Sequence, residues 1–246
     1  MNNYNNSVLD FHEYSQVEDA INKLVEVEFD DKPFFKALVN GELTYDQIRY
    51  FAIQYSFYSR HFPRVLGAAI SAMNPLDTWW VPLADNLWDE AGRGQPGKSH
   101  EQLYKTFLYS IDTNVPVDQN GLVTIPMSKA VETAINTFIE FFHRATPFEA
   151  MVAVGLGSEM FAGSVMGLIG RGFDHDNYQT HGKINTLFWR AHADEHEPRH
   201  YQLCKDVLVN YTKPQELQRM YEVGAYIAKS EARMYDELYK EMKNGH

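Results

Sequence analysis

Apolar residues recur along most of this chain at three- and four-residue spacing, the period of a helix with one buried face. Val17, Ile21, Leu24 and Val25 mark a first helix from Ser15 to about Val27. A second, short helix runs from Lys32 to Asn40 and is closed by Gly41 in the C-terminal capping position. Thr44-Tyr-Asp-Gln47 reads as a capping box that opens a long aromatic-rich helix through Met73, with Pro63 inside it as a kink. Further helices are expected over Pro75–Ala91, Ser99–Ile111, Met127–Ala145, Pro147–Ile169, Lys183–Asn210 and Pro214–Met242. The segment Asp112–Pro126 reads as a polar loop with a brief extended piece at Leu122–Ile125. Strand alternation is nearly absent and no repeat is visible, so the pattern predicts an all-α bundle. Residues 15–246 are expected to form a single domain and residues 1–14 a flexible N-terminal segment.

Composition narrows the function. The 22 basic and 33 acidic residues leave a net charge of −11, which disfavours nucleic acid and anionic membrane as partners. A single cysteine, Cys204, excludes an internal disulfide and fits a reducing compartment. The polar first seven residues do not resemble a signal or transit peptide, and no apolar run is expected to span a bilayer. These features together predict a cytoplasmic protein.

Three constellations carry candidate chemistry. The first is Phe188-Trp189-Arg-Ala-His192-Ala-Asp194-Glu195-His196-Glu197-Pro198-Arg-His200, where three histidines fall on one helical stripe. Imidazole and carboxylate suit iron, zinc, copper or manganese, and a solvated charged face is the bland alternative. The second is Asp85-Asn-Leu-Trp-Asp89-Glu90, followed by a glycine-rich turn and His100; an acid ends one helix and a histidine begins the next. Taken alone, both residues are equally at home on a surface. The third is Glu159, a lone carboxylate among Met151, Val154, Met160, Phe161, Val165 and Met166. A buried charge must be paired or coordinate a metal, and a protonated core glutamate is the competing reading.

In this order and spacing, with Phe62-Pro-Arg64 upstream, the constellations resemble the heme-oxygenase-like di-iron oxidases and oxygenases, in particular the iron-containing redox enzymes and CADD-like proteins. The resemblance covers about Gly41 to His200. It implies a heme-oxygenase-like bundle of about seven to eight helices, related in fold to thiaminase II and pyrroloquinoline-quinone synthase, with two irons per chain in place of haem. Carried over residue by residue, it implies Glu90, His100, Glu159, His192 and His200 as iron ligands. Glu90, the acid before the turn, is the candidate catalytic carboxylate and the candidate bridge between the irons. The ten-residue gap from Glu90 to His100 is similar to the branch of N-oxygenases and olefin-forming enzymes.

Two departures stand out. The family's last motif reads His-x-x-x-Asp-x-x-His, whereas this chain has one extra residue before the acid, His192-x-x-x-x-Glu197-x-x-His200. A π-bulge absorbs one inserted residue, and Pro198 loosens the helical ladder there, so a bulge between Ala193 and Pro198 is predicted to return Glu197 to the ligand face. In a regular helix His196 replaces Glu197. The second departure is Lys32-Pro-Phe34-Phe35, which lacks the tyrosine that is consumed in the p-aminobenzoate-making branch.

The function expected from the resemblance is O2 activation on a small molecule, such as an amino acid or fatty acid, with a reductant as co-substrate. Tyr55, Phe62, Phe161 and Trp189 are candidate substrate-binding residues, joined by Met160 and Phe188 in an apolar wall. Arg64, with Arg60 beside it, is the candidate anchor for a substrate carboxylate. A homodimer is expected. The competing readings are a metal-free enzyme like thiaminase II or the quinone synthase, and a non-enzymatic helical binding protein.

Overall fold

A computed structural model describes residues 10–245. Eleven α-helical segments are joined by short π and 3₁₀ turns: α1 (Tyr14–Val25), α2 (Pro33–Val39), α3 (Tyr45–Ser71), α4 (Asp77–Glu90), α5 (His100–Ile111), α6 (Lys129–Phe142), α7 (Pro147–Val154), α8 (Met160–Phe173), α9 (Leu187–Ala191), α10 (Glu197–Leu208) and α11 (Pro214–Asn244). Among the described residues the extended piece in the 112–126 loop reduces to an isolated Val117–Val123 bridge.

Local chemistry accounts for the boundaries. Thr44 and Gln47 form the reciprocal capping box of α3, Thr146 and Glu149 form that of α7, and Gly41 takes the left-handed φ of +70° after α2. Pro63 lies within α3 as expected. Of the N-terminal segment expected to be flexible, residues 1–9 lie outside the described residues. The part that is described is anchored, with Phe11 buried against Tyr221 at 5.5 Å between ring centroids.

The rods α7–α8 and α9–α10 are each continuous through a π turn, at Gly155–Glu159 and His192–His196 respectively. The first forms a 27-residue helix, Pro147–Phe173, that contains an 18-residue stretch of mean hydropathy 1.6. This corrects the expectation that no apolar run is long enough to cross a bilayer. Two-thirds of that apolar stretch is buried inside the bundle, as for a core helix.

Around this core helix pack α2, α10, α11 and the His192–His196 turn, while α3 packs against α4, α5 and α6. Close approach depends on small residues. A Cβ on Gly155 would lie 2.7 Å from Cys204 Cβ, and one on Gly157 would lie 2.8 Å from Ile227 Cβ. An aromatic column of Phe34, Phe51, Tyr55, Tyr104, Phe107, Trp189 and Tyr235 fills the middle of the bundle, with Tyr55 and Trp189 rings 4.9 Å apart. The metal-type side chains lie beside this column.

Candidate metal centre

Glu90 ends α4 and His100 begins α5, so the turn between them decides whether they meet. Gly92 adopts a φ of +67°, and a Cβ there would strike the Lys98 carbonyl oxygen at 2.5 Å. Only glycine permits this closure. Ser99 then caps α5 by accepting from the Gln102 N–H, which sets His100 at the first helical position. His100 Nδ1 comes 2.8 Å from Glu90 Oε1 and 2.9 Å from His192 Nε2.

All three residues are buried, and their ligand atoms form one cluster within 4.8 Å of one another. The Nδ1–H of His192 donates to the Phe188 carbonyl at 2.7 Å, which leaves Nε2 free of a proton and aimed at the cluster. Burial, reinforced by the charge of His100, pushes the His192 imidazole well below its usual range. It is therefore neutral, the form that binds metal.

A second cluster joins Glu159, Glu197 and His200 within the same 4.8 Å limit, all buried. Glu159 Oε1 accepts from Asn86 Nδ2 at 2.7 Å. Its Oε2 and the Nδ1 of His200, 3.6 Å apart, have no hydrogen-bond partner. Such orphaned donor atoms inside a core are costly unless something occupies the space between them. Burial raises both carboxyls of this pair. His200 and Asn86 overcome that for Glu159 and keep it ionised, whereas the charge of Glu159 pushes Glu197 further up, so that Glu197 holds the proton. A divalent cation would replace that proton.

The π turn His192–His196 lies between the two clusters and returns Glu197 to the cavity side, as the extra residue in the motif predicts. The Gly155–Glu159 π turn has no counterpart in the sequence analysis; it sits where Glu159 leaves the core helix. His196 is half-buried, 4.5 Å from His100 between ring centroids, and forms a third group with Asp89 and His200. Asp89 is already engaged there. It accepts from Arg93 Nε at 2.6 Å and from Arg199, and lies 3.3 Å from His200 Nε2. Burial opposes its charge, but the two guanidiniums hold the carboxyl below its usual range. This arrangement fixes the His200 ring so that Nδ1 faces Glu159.

A small cavity of ≈ 30 Å³ adjoins the clusters. Tyr55 and Phe62 line it, with Phe188, Met166 and Ala162, and the ligand candidates Glu90, His192 and Glu197. Three expected substrate contacts lie elsewhere. Phe161 points from α8 into the core and packs on Phe29 at 5.2 Å, because the π turn at 155–159 shifts the phase of the helix. Trp189 is fully buried in the aromatic column, one residue out of phase with Phe188. Arg64 is exposed, on the outer face of α3, and Arg60 lines a different surface recess with Glu101 and Lys105. His61 bonds its own helix at the Phe57 carbonyl. Cys204 is buried in core packing, and burial pushes its thiol well up.

Glu231 and Tyr58, which no local motif marks as site residues, also line the cavity. The one available signal is that Glu231 falls in the stripe Ile227, Ala228, Ala232, Met234, Tyr235, Leu238 of α11, as conspicuous there as Glu159 in α8. Burial pushes the Glu231 carboxyl up to about 8, with Tyr58 pulling it down and the charge of Glu159 pushing it up.

This arrangement of helices is the heme oxygenase-like fold. A domain of that fold from Shewanella denitrificans superposes with a TM-score of 0.72 at 16% identity, covering 94% of each chain. A CADD-like protein from Nostoc punctiforme gives 0.70 at 18% identity, over 93% of this chain and 97% of that one. A TenA homologue from Pseudomonas syringae gives 0.67 at 10%, over 92% of each. The sequence profile described as "Iron-containing redox enzyme" matches residues 49–228, and the chain belongs to that family. A curated relative, the 4-aminobenzoate synthase of Chlamydia muridarum, is 30% identical over 111 residues, or 45% of this chain. The match spans 44% of that relative's length.

Proposed function

We propose that this protein is a non-haem di-iron oxygenase or oxidase acting on a small molecule. The observation that carries the reading is the pair of abutting, buried three-donor clusters, Glu90/His100/His192 and Glu159/Glu197/His200, with unpaired donor atoms on Glu159 and His200. Mixed imidazole and carboxylate donors suit ferrous iron. The first cluster would hold one iron and the second the other, with Glu90, the acid between the glycine turn and the cavity, as the bridging candidate. Bound iron, once reduced, supplies O2 activation for hydrogen abstraction or oxygen transfer.

The residues around the clusters prepare the site for that chemistry. The Phe188 carbonyl orients His192 and Asp89 orients His200, so each ring presents a fixed nitrogen. Phe62, Met166, Phe188 and Tyr55 line the cavity and exclude water from the reacting atoms. The small-molecule substrate, O2 and a reductant are the partners this reading requires.

The metal-free alternative needs a nucleophile for thiaminase-type chemistry. Cys204 is packed against Gly155 in the core with its thiol pushed up, which argues against it. The p-aminobenzoate activity of the curated relative is also disfavoured, since Phe34 and Phe35 are buried in the aromatic core where that branch resembles a tyrosine-bearing segment.

The test is anaerobic reconstitution with ferrous iron, followed by metal analysis and Mössbauer spectroscopy before and after O2. About two irons per chain, with an O2-dependent coupled ferric signal, is the expected result. A folded protein that takes up no specific iron, or a Glu90→Ala/His192→Ala variant that still holds both, overturns it.

A further inference from the structure

The cavity beside the clusters contains one acidic side chain that neither metal position uses. Glu231 projects from α11, is 5% exposed, and has an Oε2 atom without a hydrogen-bond partner. Tyr58, from α3, presents a buried hydroxyl that is near enough to Glu231 to lower its carboxyl but makes no hydrogen bond within 3.5 Å. Both line the same space as Glu90, His192 and Glu197. Among the described residues lining it, none is Lys or Arg. The guanidiniums nearest in sequence to the cavity wall, Arg60 and Arg64, lie outside it.

We propose that Glu231 and Tyr58 form an amine-recognition subsite, and that the substrate is a primary alkyl- or arylalkylamine bound as its ammonium, with its carbon chain against Phe62, Met166 and Phe188. This deepens the di-iron reading above and rests on it for the identity of the cavity as the substrate chamber. The argument is one of unmet acceptors. A buried carboxylate and a phenol oxygen without partners are expensive to desolvate, and an ammonium group supplies the donors that satisfy both. Iron would neutralise Glu90, Glu159 and Glu197, leaving Glu231 as the cavity carboxylate without a counter-ion. A substrate carboxylate placed beside Glu231 meets the opposite situation, a second acid with no Lys or Arg next to it.

The experiment measures binding by calorimetry to full-length protein, before and after anaerobic loading with ferrous iron. The probes are matched sets: hexylamine, hexanol and hexanoate, then phenethylamine, phenethyl alcohol and phenylacetate. The wild type is expected to bind an amine at least about tenfold more tightly than the matched alcohol or acid, and Glu231→Gln to lose roughly that factor for the amine alone. Tyr58→Phe is expected to lose a smaller factor and serves if Glu231→Gln does not fold. Equal or tighter binding of the alcohol or acid, no saturable binding of either amine, or an amine preference that survives both substitutions overturns the proposal. Iron per chain, measured on the same samples, separates the two readings. Absent iron defeats the di-iron assignment, whereas full iron without a Glu231-dependent amine preference defeats the subsite.

Discussion

His192 and Glu197 stand five residues apart on one helical rod, yet both line the same cavity, because the π turn His192–His196 lies between them. In a regular α-helix, residues at that spacing point roughly 140° apart. The turn absorbs one residue and leaves α10 in phase with α9.

Removing one residue from the turn should therefore be tolerated. Deleting the exposed Asp194 converts the π turn to an α turn and gives His-x-x-x-Glu-x-x-His without moving the ligands off the cavity face. We expect unchanged helicity by circular dichroism and undiminished iron uptake. Inserting an alanine beside Asp194 rotates Glu197 and His200 by about 100° and should abolish uptake at the second cluster. Loss of iron in the deletion variant would show that the extra residue does more than keep register.

Asp89 is placed to act on iron through His200, whose Nε2 lies 3.3 Å from it. Replacing it with Asn weakens the hold on His200 Nε2, leaves Arg93 without its carboxylate and leaves Arg199 with Asp85 alone. Affinity for iron at the second cluster should fall by about 10- to 100-fold, a range typical for partners that orient a ligand. Competitive chelator titration would measure this, with the Glu90/His100/His192 cluster as the internal reference that stays unchanged.

Gly155 and Gly157 set how closely the core helix meets α10 and α11. Alanine at either position forces a Cβ to within 2.7–2.8 Å of Cys204 Cβ or Ile227 Cβ, neither of which is the free end of a side chain. Each substitution should cost about 1–3 kcal/mol, seen as a lower denaturant midpoint at unchanged m-value. A neutral effect would mean that the helices separate more easily than the packing implies.

Acid should loosen the start of the same helix. Burial disfavours the charge on Glu149, but the Thr146 N–H, the Thr146 hydroxyl and Arg219 outweigh it and hold the carboxyl below its usual range. A folded-state pKa below the unfolded one means that the stabilisation is present at neutral pH and is lost as pH falls through the folded value. Glu149→Gln should therefore lower stability at pH 7 while flattening its decline toward acid, by urea titration across that range. Thr146→Ala, which removes the cap, should cost about 0.5–2 kcal/mol.

Helices and candidate ligands were legible because both are written in local spacing. Thr44/Gln47, Gly41 and the His192–His200 stripe declare themselves within a few residues, and an inserted residue beside Pro198 points to a bulge from the motif itself. Local spacing does not state the direction of a side chain relative to distant helices. Phe161 and Trp189 sit next to the right residues but one step out of phase, so they join the core while Ala162 and Phe188 reach the cavity. Arg64 has a plausible neighbour in Phe62 but lies on the outer face of α3.

The sequence by itself determined the all-α class, the helix boundaries and the residue types able to bind metal, since each depends on contacts within a few residues. Only the tertiary structure decided which donors share a cluster, that Asp89 belongs to arginines as well as to His200, and that Glu231 on the last helix faces a cavity built from α3, α4, α8 and the histidine rod. Those outcomes depend on packing between residues as many as 176 positions apart in the cavity wall, Tyr55 to Glu231, which no local pattern encodes.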